Sequence, residues 1–207
     1  QEAAAPAFFE TAKGRAALIG THAPIWPEHN RLAATPLIGN LGGRPGLNML
    51  NYSEVILVSR EQFDALEQVR AGFLQYRENY DNPRPVANVS PNAGIDFPAS
   101  STGRNNPIYR VAKEGEVPGT VIYQMDENDL DRFLVNILNA RQLGDFVIAA
   151  AHIHQSRSIL ETQHLSTRPP AFYVDLARRA IDAGADAFIG TGVQTLRGIE
   201  IYKGKPI

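Results

Sequence analysis

Apolar positions in the second half of the chain change period in a regular way. Phe146-Val147-Ile148-Ala149-Ala150-Ala151 is an unbroken apolar run, and Ala185 to Ile189, interrupted only by Asp186, reads as the next strand. Runs of that length are expected of strands covered on both faces. Before the first run, Leu130, Phe133, Leu134, Ile137 and Leu138 recur at i, i+3, i+4, i+7 and i+8 behind Asp126, which predicts a capped amphipathic helix. Before the second, Tyr173, Leu176, Ala177, Ala180 and Ile181 repeat the stripe. Pro169-Pro170 is preorganised for its first turn, and Gly184 supplies the residue just past its end. Ile199 to Tyr202 with Lys203-Gly204-Lys205 predicts a closing hairpin.

The first half is less periodic. Phe8 to Thr11 and Arg15 to Ile19 flank Lys13-Gly14, a β-hairpin signature. Ser59 with Gln62 forms a capping box ahead of Phe63, Leu66, Val69, Phe73 and Leu74 on one helical face. Val121-Ile122-Tyr123 predicts a short strand. Segments 21–51 and 81–106 are rich in Pro, Gly, Asn and Ser and predict long loops, with a third loop from Gln155 to Arg168. Helix alternating with apolar strand implies a layered α/β fold, read as one domain over residues 1–207.

Composition narrows the function classes. The chain has 207 residues and a net charge of −2, from 20 basic and 22 acidic side chains without a long run of either sign. Nothing there forms the electrostatic footprint of a nucleic-acid binder. No apolar stretch approaches the roughly eighteen residues of a membrane span. Cysteine is absent, which excludes disulfides and thiolate metal sites. Starting at Gln1 without a signal sequence, the chain reads as a processed or excised piece.

The candidate chemistry sits after the two apolar runs. His152 and His154 are two apart, so a continuing strand points both the same way, toward one metal or two bridged metals. A metal there would acidify a bound water into a nucleophile; the same spacing also suits two ordinary hydrogen-bonded histidines at a strand end. Gln155 is a neutral ligand, an outer hydrogen-bond donor or a solvated loop side chain. Gly190-Thr191-Gly192-Val193-Gln194 reads as a turn where the backbone approaches a ligand closely. In Gly43-Arg44-Pro45-Gly46-Leu47-Asn48, Arg44 is placed to hold an anionic group, or is the solvated arginine of a Pro-Gly turn. His22, His29 and His164 have no sequence neighbours of this kind and read as structural or surface residues.

Ala180 to Gly190, followed by Leu196-Arg197-Gly198-Ile199-Glu200-Ile201-Tyr202-Lys203-Gly204-Lys205-Pro206-Ile207, resembles the poly-γ-glutamate capsule biosynthesis proteins, relatives of the calcineurin-like metallophosphoesterases. The likeness extends to Asp145-Phe146-Val147-Ile148 with His152-Ile153-His154-Gln155, to Gly43 through Asn48, and to the N-terminal hairpin. It implies a metallophosphoesterase-like layered α/β sandwich, here expected to be incomplete at both ends. It implies a divalent metal (Mn, Zn, Fe or Mg) at the strand ends, held by His152, His154 and Gln155. It further implies an extracytoplasmic hydrolase acting on a small-molecule or anionic polymer substrate, with His152 and His154 catalytic and Arg44, Thr191 and Gln194 contacting substrate.

Three departures shape that expectation. The family's Gly-His-Gly-x-His turn has Thr191 and Gln194 in place of its two histidines, and neither a hydroxyl nor a carboxamide substitutes well for imidazole on a transition metal. The family's Gly-Asp strand and Asn-Asn-His motif are expected ahead of Gln1, and a further core strand beyond Ile207. A sheet lacking them has open edges, so a partner chain or a homodimer is expected to complete it. The alternative reading is a non-catalytic ligand-binding or structural relative, and a third has Gln155 and Gln194 giving oxygens to a harder ion such as Mg²⁺ or Ca²⁺.

Overall fold

The computed structural model describes residues 4–24, 32–35, 42–43, 45–78, 95–96, 108–155 and 166–207, with backbone alone for 72–78 and 95–96. In chain order the elements are β1 (Ala7–Thr11), β2 (Gly14–His22), β3 (Tyr52–Val58), α1 (Arg60–Glu78), β4 (Ile95–Asp96), β5 (Ile108–Val111) and β6 (Val121–Met125). There follow α2 (Glu127–Leu143), β7 (Phe146–Ile153), α3 (Ala171–Asp182), β8 (Ala187–Gly192), β9 (Ile201–Tyr202) and β10 (Lys205–Pro206). The layered α/β architecture expected from the sequence is what these elements form. They group into two compact units, Gln1–Tyr52 with Met125–Ile207, and Ser53–Gln124. Among the described residues no helix is long and apolar enough to cross a membrane.

The first unit is built on a four-stranded sheet in the order β1-β2-β7-β8. β1 and β2 are the expected antiparallel hairpin, while β2 with β7 and β7 with β8 pair in parallel. Ala17 and Ile19 of β2 and Val147, Ala149, Ala151 and Ile153 of β7 are buried on one face. Against them lie the buried residues of α2 (Leu130, Phe133, Ile137, Ala140) and of α3 (Phe172, Leu176, Ala177, Ala180, Ile181). Each fully buried large side chain contributes roughly 2 kcal/mol. α2 starts where expected, with the Asp126 carboxylate accepting from Asp129 N at 3.0 Å. α3 ends in a Schellman turn, with Ala185 N donating to Ala180 O at 3.1 Å and Gly184 N to Ile181 O at 3.0 Å, Gly184 at a φ of 112°.

Several expectations about this unit change. β7 is not covered on both faces: Phe146 is 48% exposed, as are neighbouring Leu18 of β2 at 49% and Ile189 of β8 at 47%. α2 buries a narrower stripe than its sequence pattern, leaving Leu138 half exposed. β8 starts at Ala187 rather than Ala185 and continues through Thr191 to Gly192, so the first three residues of the turn expected at 190–194 are strand. β2 likewise extends to His22, and described parts of segment 21–51 bridge back to the sheet, as in His22 with Met49. The closing hairpin is present as β9 and β10.

The second unit holds a sheet in the order β4-β5-β3-β6, with β3 and β5 parallel. The sequence pattern assigned no strand to 52–58 or 108–111, and most of segment 81–106 lies outside the described residues. The capping box of α1 is reciprocal: Ser59 N donates to Gln62 Oε1 at 2.9 Å and Gln62 N to Ser59 Oγ at 3.1 Å. Phe63 is buried with Val58, against Ile56, Leu66, Tyr109 and Val111. Val69 is exposed and Arg70 is buried instead, because the residue seven on from Phe63 shares its face and the residue six on does not. Phe73 and Leu74 have side chains outside the described set.

Arg110, buried in β5, donates to Glu116 Oε1 at 2.8 Å, and Lys113 N donates to Glu116 Oε2 at 2.7 Å. The Arg110 hydrogen bond first, then that of the Lys113 amide, lower the Glu116 carboxyl from 4.5 to about 2. A lowered carboxyl stabilises the fold above its unfolded value and loses that contribution as pH falls toward its folded value. Glu116→Gln is therefore expected to flatten the loss of melting temperature between about pH 4.5 and pH 2 relative to the parent chain. Parallel thermal-melting series across that range check it.

Candidate functional site

The parallel register of the first sheet decides which side chains meet. His22 at the end of β2 pairs with His152 of β7, and His152 pairs with Thr191 of β8. Residues paired across neighbouring strands share a face, so His22, His152 and Thr191 form a row at the strand ends. The His22 and His152 rings stack with centroids 5.3 Å apart. The His152 ring meets that of His154 edge-on at 4.8 Å.

Within the row, the His152 and His154 Nε2 atoms are 2.9 Å apart, and His152 Nδ1 lies 3.1 Å from Thr191 Oγ1. One ring therefore donates Nε2–H to the lone pair of the other, and Thr191 fixes the orientation of His152 from behind. Two imidazoles bound tetrahedrally to one metal at about 2.0–2.1 Å would have nitrogens about 3.3 Å apart. To act as two metal donors the pair would have to open by a few tenths of an ångström, and both rings would have to turn their lone pairs from each other toward a common point. His152 and His154 are the two described side chains that could hold a metal here, with the Thr191 hydroxyl on the opposite nitrogen of the His152 ring.

The other expected site residues behave differently. Gln155 is 1% exposed and turned inward. Its Nε2 donates to Tyr52 Oη at 2.6 Å and to the Pro24 carbonyl at 3.3 Å, partners on the core side of the chain. The cause is strand parity: 147, 149, 151, 153 and 155 all point into the core. Its Oε1 is buried without a partner among the described residues. Gln194 is exposed beyond the end of β8. Arg44, His29 and His164 lie outside the described residues. Among the described residues, no group of three or more His, Asp or Glu side chains is arranged to hold a metal.

His22 belongs at this site although the sequence reading left it as structural or surface. The signal was present: Ala16 to Thr21 and Phe146 to Ala151 are runs of equal length, each ending in histidine. The strand end is fixed by Asn48, which accepts from His22 N at 2.9 Å and Thr21 Oγ1 at 3.1 Å through its carbonyl and donates from Nδ2 to Gly20 O at 2.9 Å. Beside it opens a cleft of about 530 Å³ lined by Thr21, His22, Leu47, Asn48 and His152 among others.

Comparison with known proteins agrees with this architecture. The sequence profile of the bacterial capsule synthesis proteins matches residues 59–207. Two uncharacterized proteins of Sinorhizobium fredii (strain NBRC 101917 / NGR234), y4sH and y4uA, are each 33% identical over 206 residues. The match takes in 100% of this chain but 38% of either relative, so the chain spans well under half of their length. The profile match covers β7, α3, β8 and the closing hairpin, the elements that carry the imidazole pair and Thr191, and the chain belongs to the bacterial capsule synthesis protein family PGA_cap.

Proposed function

We propose that this chain carries the two-histidine part of a metal-dependent hydrolase of the capsule-synthesis type, acting outside the cytoplasm on an anionic substrate. The observation that supports it is the convergence of the His152 and His154 Nε2 atoms at 2.9 Å with Thr191 behind His152. Imidazole is a favoured donor for borderline divalent metals. A metal held there would supply an acidified water, ionised near neutral pH, as nucleophile. The chain's own residues orient the imidazoles and shape the cleft of about 530 Å³ beside them. Arg44 is proposed to hold the anionic group of the substrate. Gln155 is not part of this proposal, because its side chain is buried on the core side of the chain with its Nε2 held by Tyr52 and Pro24.

A second reading is favoured by the ligand count: two imidazoles without a third ligand among the described residues suit a non-catalytic relative that keeps the cleft as a ligand-binding site. The two readings separate on dialysis followed by titration with Co²⁺ and Zn²⁺. The hydrolase reading expects about one ion per chain, with visible cobalt bands of a nitrogen-ligated ion. Absence of stoichiometric binding by either metal overturns it in favour of the ligand-binding relative.

A further inference from the structure

The peptide that leaves the imidazole pair is held by a side chain far away in sequence. Arg197 donates from Nη2 to the Gln155 carbonyl at 2.8 Å and from Nε to the Ser166 carbonyl at 3.3 Å. Its guanidinium lies 5.8 Å over the Tyr173 ring, and Thr195 Oγ1 donates to the same Ser166 carbonyl at 3.4 Å. Gln155 directly follows His154. Its carbonyl is thus gripped by a cation while its side chain is anchored the opposite way, on Tyr52 Oη and the Pro24 carbonyl. Pinned from both directions, residue 155 fixes the backbone through which His154 is aimed. His152 is oriented independently, through Thr191.

We propose that Arg197 is a positioning residue for the imidazole pair, holding His154 so that its Nε2 meets that of His152. The placement stands on the geometry alone, and its effect on affinity rests on the metal-binding reading above. A guanidinium suits the task because its planar fork reaches two carbonyls at once, whereas a lysine ammonium is a single flexible point charge. Hydrogen bonds made directly to metal-binding histidines are worth about ten- to hundred-fold in metal affinity, which sets the upper scale for a contact that acts one peptide away.

The test uses the full chain, metal-free and ¹⁵N-labelled, at one fixed pH near 8. Long-range ¹H–¹⁵N spectra report the ring nitrogens of each histidine, and Zn²⁺ titration reports affinity, for the parent, Arg197→Ala and Arg197→Lys. In Arg197→Ala the His154 nitrogens are expected to shift more than those of His22, with cooperative melting retained and Zn²⁺ affinity lowered about ten-fold or more. Arg197→Lys is expected to recover part of both changes. His154 signals unmoved in Arg197→Ala overturn the proposal. So does an equal shift of every histidine with loss of cooperative melting in both variants, which marks Arg197 as a general structural support. A parent chain that binds no Zn²⁺ while His154 still shifts supports the positioning role and removes the metal reading instead.

Discussion

Alanine at His152 or at His154 is expected to lower the affinity of this chain for Co²⁺ and Zn²⁺ by more than about a hundred-fold, beyond the ten- to hundred-fold associated with an outer hydrogen bond. The pair converges on one point with Nε2 atoms 2.9 Å apart, so loss of either ring leaves one imidazole where two were required. Stability should respond weakly. His152 is exposed and His154 only half buried, so neither substitution opens a core cavity, and changes within about 1 kcal/mol are expected. His152→Ala should be the costlier of the two, since it also removes the stack on His22 and the Thr191 contact. Cobalt titration and urea denaturation of the same preparations check both halves. Parent-like affinity in the two variants would place any bound metal elsewhere.

Much of the site was legible in the sequence because its main determinants are local. Period-3.6 stripes placed α2 and α3, Asp126 and the Ser59/Gln62 box placed helix starts, and Gly184 placed a helix end. The apolar runs placed β7 and β8. The bringing together of His152 and Thr191 follows from their places just after two strands ending on one sheet edge, and the physical agent is parallel register: counting forward four residues from Ile148↔Ala187 sets His152 against Thr191. What the sequence hid was mostly non-local. β3 and β5 pair across about fifty residues, and no short-range pattern reports such pairing. His22 reached the site only through the pairing of β2 with β7, and Arg197 acts through backbone carbonyls, which no side-chain motif encodes.

Gln155 shows how strand parity acts beside a motif. Its sequence position beside His-x-His made it a candidate ligand, yet the alternation that buries Val147, Ala149, Ala151 and Ile153 continues one step further and buries it too. A polar residue on the core side of a strand end needs polar partners there, and the Tyr52 hydroxyl and the Pro24 carbonyl supply them. Thr191 went the other way. Expected at substrate, it lies within hydrogen-bond distance of His152 Nδ1.

Gly192→Ala is expected to destabilise the first unit by about 3 kcal/mol and to weaken metal binding at the same time. Gly192 has a φ of 111°, a conformation that side-chain-bearing residues adopt only under strain. A Cβ there would sit 2.6 Å from the Ile153 carbonyl oxygen and 2.9 Å from its carbonyl carbon, so backbone rather than a yielding side chain must move. Ile153 lies between His152 and His154, and it is the register partner of Gly192. A shift of the Ile153 peptide that relieves the clash moves the backbone between the two imidazoles, coupling a fold defect to a site defect. Gly20→Ala is the matched control: it lies in the same sheet near the same strand ends, and a Cβ there meets nothing within 4 Å. Its denaturation midpoint and Zn²⁺ affinity should stay close to the parent's, within about 0.5 kcal/mol. If Gly192→Ala matches Gly20→Ala in both measurements, the close approach of β7 and β8 at this point is not what sets the imidazole pair.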